Sequence, residues 1–277
     1  MQFDTEISCN SVIWITSLPD TEQGPTRRMV EDMELLKIQF NIGLQHIHVK
    51  SVDSLRELIK ELALHANKNK MRPLLHFDMH GGKDNGLYIS QSSEFFSWED
   101  LYGCLQELNL ATDNNLVVVG AACFGLRSII PIKLDNPAPF FVLLAPEQEV
   151  HVGFLEDNIP CFYRDFFTSV NLYSEYNKYL SGEFKYFHCE KLLFMAVAKY
   201  IRTSCKGKSA QKRKELLLTE VLSQDMENTE DNLKSLRKKI KEGLKPDQAL
   251  LDRYASTFLI SRKCSFNMEQ LLSSILG

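Results

Sequence analysis

The chain has 277 residues, 44% hydrophobic and 25% charged, with a formal net charge of −4. These values are ordinary for a folded globular domain, and the negative balance argues against a surface built for general nucleic-acid binding. No apolar run reaches the ~20 residues that cross a bilayer, and seven irregularly spaced cysteines without a CxxC pair argue against a disulfide framework and a structural zinc site.

The N-terminus, from Met1 to Glu6, is acidic and lacks an apolar signal core, so a cytoplasmic location is expected. Ser11 to Leu18 contains Val12, Ile13, Trp14 and Ile15 and reads as a first strand. Pro19 to Pro25 is a turn-rich loop. Arg28 to Phe40 has helical spacing, with Val30, Met33, Leu36 or Leu35, and Phe40 on one side. Gln45 to Val49 alternates like a short strand. Asp53 and Ser54 are the expected cap of a helix with a stripe of Leu55, Leu58, Ile59, Leu62 and Leu64. Pro73 to Gly82 reads as the next strand running into a glycine turn, with His80 at the strand's carboxyl end, followed by Gly81 and Gly82. This alternation of strand and helix predicts a parallel sheet covered on both faces.

Lys83 to Gly86 reads as a turn, Leu87 to Ser90 as a short hairpin strand, and Ser97 with Asp100 three residues later predicts a helix start. The run Leu116 to Val119 is β-branched and apolar, as in a strand buried on both faces. It ends in Gly120, Ala121, Ala122 and Cys123, with Gly125 close behind. Chemistry in open parallel sheets gathers beyond the carboxyl ends of the strands. Cys123 is therefore placed as a nucleophile, although a buried structural cysteine would look the same. His80 ends a neighbouring strand, 43 residues upstream, a gap that suits one helix. An imidazole beside a thiol raises its thiolate fraction.

The stretches Leu75 to Gly81, Gly86 to Tyr88, Trp98, Asn114 to Leu116 and Ala122 to Gly125 resemble caspase-like cysteine peptidases, most closely the bacterial CHAT-type branch. The similarity runs from about Val12 to Tyr200. It implies a caspase-like domain over 1–204 with a mostly parallel central sheet; from Glu215 on, mixed charge with Leu at helical spacing predicts helices, so 205–277 reads as a helical C-terminal appendage. The resemblance implies peptide hydrolysis by a Cys123–His80 dyad, with backbone N–H groups of Gly81 and Cys123 stabilising the oxyanion. It also implies a regulated enzyme of a bacterial defence or cell-death system. Neither a cofactor nor a metal is called for. Two other readings stay open: an inert scaffold that binds a protein partner, and a thiol hydrolase or transferase acting on something other than peptide.

Beyond the cysteine, Phe140 to Ala145 reads as a core strand, Asn158 to Pro160 as a helix start, and Cys189 to Tyr200 as a helix. His76, Asp78 and His80 share one strand face. A metal site is possible in principle, but hydrogen-bonded supports beneath His80 are the expected role of His76 and Asp78. Several caspase-like peptidases that cut after Arg or Lys carry an Asp two residues before the cysteine; here Ala121 stands there. Glu147 and Glu149 follow a core strand at the same edge and could line a specificity pocket beside Ala121. An apolar or small residue before the cut is expected. His151, alone in that loop, reads as a surface histidine.

Lys199, Arg202, Lys206, Lys208, Lys212, Arg213 and Lys214 occur with no acidic residue among them. They form either a solvated helix end or a docking surface for a regulatory protein partner; the lack of interleaved aromatics disfavours nucleic acid. The C-terminal helices are a second expected docking element.

Overall fold

A computed structural model describes residues 3–204, 207–222, 230–243, 246–260 and 262–276. Six strands form the central sheet: β1 (Ser11–Ser17), β2 (Gly43–His48), β3 (Pro73–Met79), β7 (Val117–Ala121), β8 (Val142–Pro146) and β9 (Phe184–His188). A small antiparallel sheet of β4 (Gly81–Gly82), β5 (Gly86–Ile89) and β6 (Glu94–Phe96) stands directly after β3. The central order is β2-β1-β3-β7-β8-β9. All neighbours are parallel except β9, which runs antiparallel to β8.

The sheet is covered on both faces, as the alternating pattern predicts. On one side α1 (Gln23–Phe40) packs on α4 (Val152–Ser169), and α6 (Cys189–Ser204) extends that layer. On the other, α2 (Val52–Asn69) packs on α3 (Trp98–Ala111). Alternation sorts the strand residues: Val12 and Trp14 face the α1 side, Ile13 and Ile15 the α2 side, and all four are fully buried. The short α5 (Leu172–Glu175) links α4 to the β9 region.

Four more helices follow: α7 (Gly207–Leu222), α8 (Glu230–Gly243), α9 (Gln248–Phe258) and α10 (Met268–Leu276). Leu251, Phe258 and Leu271, from α9 and α10, are fully buried in the same apolar cluster as Trp14. Arg262 fastens this end to the start of the chain: its Nε donates to Asp4 at 2.9 Å, and its Nη1 donates to the Asn114 carbonyl at 2.9 Å. The α8 helix packs on α7. Lys206 of the basic segment lies outside the described residues. No described helix is long and apolar enough to cross a membrane.

Three helix starts differ from the sequence reading: α1 begins at Gln23, inside the expected Pro19–Pro25 loop, and the other two are those of α2 and α4. Ser51, not Asp53, caps α2, because Ser51 and Ser54 bond each other's backbone N–H groups in a capping box. Leu64 falls off the expected α2 stripe and is exposed. The α4 helix starts at Val152 and carries Pro160 inside it. The missing proline N–H costs one helical hydrogen bond, but Leu155, Ile159, Phe162, Tyr163 and Phe166 bury one face and hold the helix across it. Ser97 does cap α3, accepting from the Asp100 N–H.

Candidate active site

The strand order 2-1-3 reverses direction at β1. The crevice beyond the carboxyl ends of β1 and β3 is therefore the topological switch point, where open α/β sheets bind ligands. His80 and Cys123 both lie at this carboxyl edge. Asp78 of β3 is in register with Ala121 of β7. Two residues further along each strand stand His80, exposed, and Cys123, half-buried.

Gly81 brings the two chain segments together. A Cβ built on it would stand 2.0 Å from the Cys123 carbonyl oxygen and 3.2 Å from the Cys123 nitrogen. Only a residue without a side chain allows that approach. The His80 carbonyl is held in turn by the Tyr88 N–H at 2.9 Å.

Cys123 sits at a sharp corner. The Gly125 N–H bonds the Ala122 carbonyl at 3.0 Å, and Phe124 between them is left-handed, φ 59°. A bulky residue there is rare and costs backbone energy. The Phe124 N–H donates to the Gln148 carbonyl at 3.0 Å, which stitches the corner to the loop after β8.

His76 and Asp78 lie beneath this edge, both buried. Burial lowers the His76 pKa to about 3, so the ring is neutral. Its Nδ1 is 2.9 Å from the Tyr163 hydroxyl, while its Nε2 has no partner. Burial raises the Asp78 pKa, opposed by hydrogen bonds from Thr26 and Trp14 and by the nearby His80. Thr26 Oγ1 donates to Asp78 at 2.6 Å, and Trp14 Nε1 donates to the same oxygen at 3.3 Å. The hydrogen bond of the His80 ring goes elsewhere: its Nε2 is 2.6 Å from Glu22 Oε2. Glu22, Thr26, Trp14 and Tyr163 were not singled out from the sequence. The switch-point rule points to the loop after β1, but needs the strand order first.

A cleft of about 770 Å³ opens beside the corner. Phe124, Leu126, Ile129 and Ile130 line one part, and Glu147 and Glu149 another. Ala121 is buried on the α1 side of the sheet with Trp14. His151 is exposed on the cleft and is the N-cap residue of α4. Arg127, also at the cleft, is paired with Asp84 at 2.5 Å. Among the described residues no group of three His, Cys, Asp or Glu side chains could hold a metal ion. Cys9, Cys104, Cys123, Cys161, Cys189 and Cys264 are free thiols. Burial pushes the thiol pKa up at Cys9, to about 11, and at Cys189, to about 12; a raised pKa leaves these thiols poor nucleophiles at neutral pH. No protein-family model matches the chain, and no curated protein matches its sequence.

Proposed function

We propose that this chain is a caspase-like cysteine peptidase that cleaves a protein substrate through Cys123 and His80. One observation carries the reading: Gly81 lies against the backbone of Cys123, so the residue after His80 touches the candidate nucleophile. The left-handed corner at Phe124 supports it, because stored backbone strain clusters at reactive sites.

In this mechanism His80 takes the thiol proton, and the Cys123 sulfur attacks the scissile carbonyl. The C–N bond breaks as the imidazolium returns the proton to the leaving amine. Water then hydrolyses the thioester, with His80 again as base. The N–H groups of Gly81 and Cys123, on adjoining backbones, are the oxyanion donors, each worth about 3–4 kcal/mol in such sites. The enzyme works in the cytoplasm without a cofactor. A regulatory protein partner docks on the basic 199–214 segment or the C-terminal helices.

The test uses a library of short quenched-fluorescent peptides and iodoacetamide. Wild-type protein should turn over part of the library and label at Cys123; Cys123→Ala and His80→Ala should remain folded and lose turnover. A chelator should leave the rate unchanged. Turnover by pure Cys123→Ala would sink the mechanism. A folded wild type with neither turnover nor preferential Cys123 labelling would indicate a partner-binding scaffold instead.

A further inference from the structure

Glu22 ends the short 3-10 turn Asp20–Glu22 that leads from β1 into α1. Its carboxylate meets His80 Nε2 across the switch point, at 2.6 Å. The two residues are 58 apart in sequence and stand at the carboxyl ends of neighbouring strands. We propose that Glu22 is the positioning residue for His80, and that the buried Thr26–Asp78 hydrogen bond locks it in place. This rests on reading His80 and Cys123 as base and nucleophile.

A carboxylate oxygen only accepts. Bonded to it, neutral His80 must carry its proton on Nε2, which leaves the Nδ1 lone pair free. Nδ1 is then the nitrogen that receives the Cys123 thiol proton. Once it does, the ring is a cation beside the Glu22 anion, and the thiolate-imidazolium pair is favoured. The imidazolium later gives that Nδ1 proton to the leaving amine, so the cycle closes without Glu22 changing its proton count. Both side chains are about half exposed, 50% for His80 and 49% for Glu22. Water therefore screens the charge and weakens the effect relative to a buried pair.

The lock is short and rigid. Thr26, in the first turns of α1, is four residues after Glu22, and Asp78 is two residues before His80. Their 2.6 Å hydrogen bond ties the start of α1 to the end of β3. The turn itself is closed by the Glu22 N–H to the Pro19 carbonyl at 2.9 Å. The Gln23 side-chain amide braces it further, donating to the Leu18 carbonyl at 3.2 Å. Asp78 thus supports His80 through the backbone it anchors, and leaves the ring to Glu22.

Wild-type chain and the variants Glu22→Ala, Glu22→Gln, Thr26→Val and Thr26→Ser would be compared on three readouts. These are kcat and KM on a cleaved short peptide, the rate of Cys123 carbamidomethylation by iodoacetamide, and the His80 tautomer by nitrogen-15 NMR. Glu22→Ala should lower kcat and alkylation about tenfold, less than the roughly 10²–10⁴-fold that an acid–base group itself supplies, with KM within about twofold. Glu22→Gln, which keeps an acceptor oxygen, should recover part of the loss and the Nε2-protonated tautomer. Thr26→Val should give a smaller loss in the same direction, rescued by Thr26→Ser. Unchanged kcat, alkylation and tautomer in folded Glu22→Ala would overturn the proposal. Failure of the peptidase reading alone registers differently: no peptide is cleaved, while the tautomer and alkylation shifts remain and support the positioning role.

Discussion

The imidazole of His76 lies flat on the Trp14 indole, with ring centroids 3.7 Å apart and planes 25° from parallel. That stack, fully buried, keeps the ring neutral to about pH 3. In the unfolded chain the same group titrates near 6.5. Between those values the unfolded state binds a proton that the folded state refuses. His76 therefore contributes stability above about pH 6.5 that is lost as the pH falls toward 3, at up to ~1.4 kcal/mol per unit. His188, also lowered by burial, acts in the same direction. Asp78 acts oppositely, since its raised pKa makes the folded state hold a proton above 3.8. The difference between wild type and His76→Gln isolates one group. Urea midpoints between pH 4 and 7 should fall more steeply for the wild type; parallel curves would contradict the account.

Gly81 and Gly82 make an internally controlled pair. A Cβ at Gly81 would collide with the Cys123 backbone at 2.0 Å, whereas at Gly82 it would meet the Phe95 ring at 3.1 Å. Phe95 touches the Tyr88 ring but is 43% exposed, so its own ring can give by a few tenths of an ångström. Gly81→Ala should destabilise by about 1–3 kcal/mol, as forced overpacking does, and should remove Cys123 reactivity. Gly82→Ala should cost under about 1 kcal/mol. Similar unfolding midpoints and labelling rates for the two variants would show that the close approach is not what holds the site.

Much of this edge was legible beforehand because it is local. Apolar β-branched runs marked β1 and β7, an apolar stretch leading into a glycine turn marked β3, and residues at the strand ends pointed to His80 and Cys123. The α2 cap moved to Ser51 because Ser54 reaches back to it, a reciprocity that Asp53 cannot offer. The α4 start was hidden by Pro160, a strong local breaker that burial of one helix face outweighs. Glu22 was hidden for a different reason. Its partner is 58 residues away, and only the reversal of strand order at β1 brings the two loops together.

Val170 ends α4 in the left-handed region, φ 53°, with 67% of its surface exposed. A β-branched residue pays a steric cost there that glycine avoids. Because the side chain buries little, Val170→Gly gives up little contact. It should stabilise by about 0.5–1 kcal/mol after the entropy of the extra glycine. Urea denaturation is the measurement, and a lower midpoint in Val170→Gly would refute the strain argument.

In the proposed peptidase, substrate choice would turn on the cleft beside Cys123. Phe124, Leu126, Ile129 and Ile130 offer an apolar wall, and Ile130 is 62% exposed. Glu147 and Glu149 are open to water at the same cleft, where a charge attracts a cation only weakly. A peptide library varied at the residue before the cut should favour apolar or small side chains. Ile130→Glu should erode that preference, and Glu147→Gln or Glu149→Gln should leave it. A strong preference for Arg or Lys that either Gln variant removes would reverse the assignment.

Under the proposed function the basic segment serves recruitment rather than chemistry. Lys199, Arg202 and Lys212 are exposed, and α8 adds Arg237, Lys238 and Lys239, also exposed. Arg213 differs, since its guanidinium lies 4.9 Å over the Tyr200 ring and helps pack α7 on α6. Reversing all three of Lys212, Arg213 and Lys214 would therefore mix packing with charge. Lys212→Glu with Lys214→Glu leaves that contact alone and should change stability by no more than about 0.5 kcal/mol each. Turnover of a short peptide should stay at the wild-type level, while capture of an acidic protein partner weakens. Added salt should weaken wild-type capture and leave the variant little affected, because the lost attraction is screened over about 10 Å at 0.1 M. Loss of short-peptide turnover in the folded variant would place these lysines in the catalytic machinery, contrary to this account.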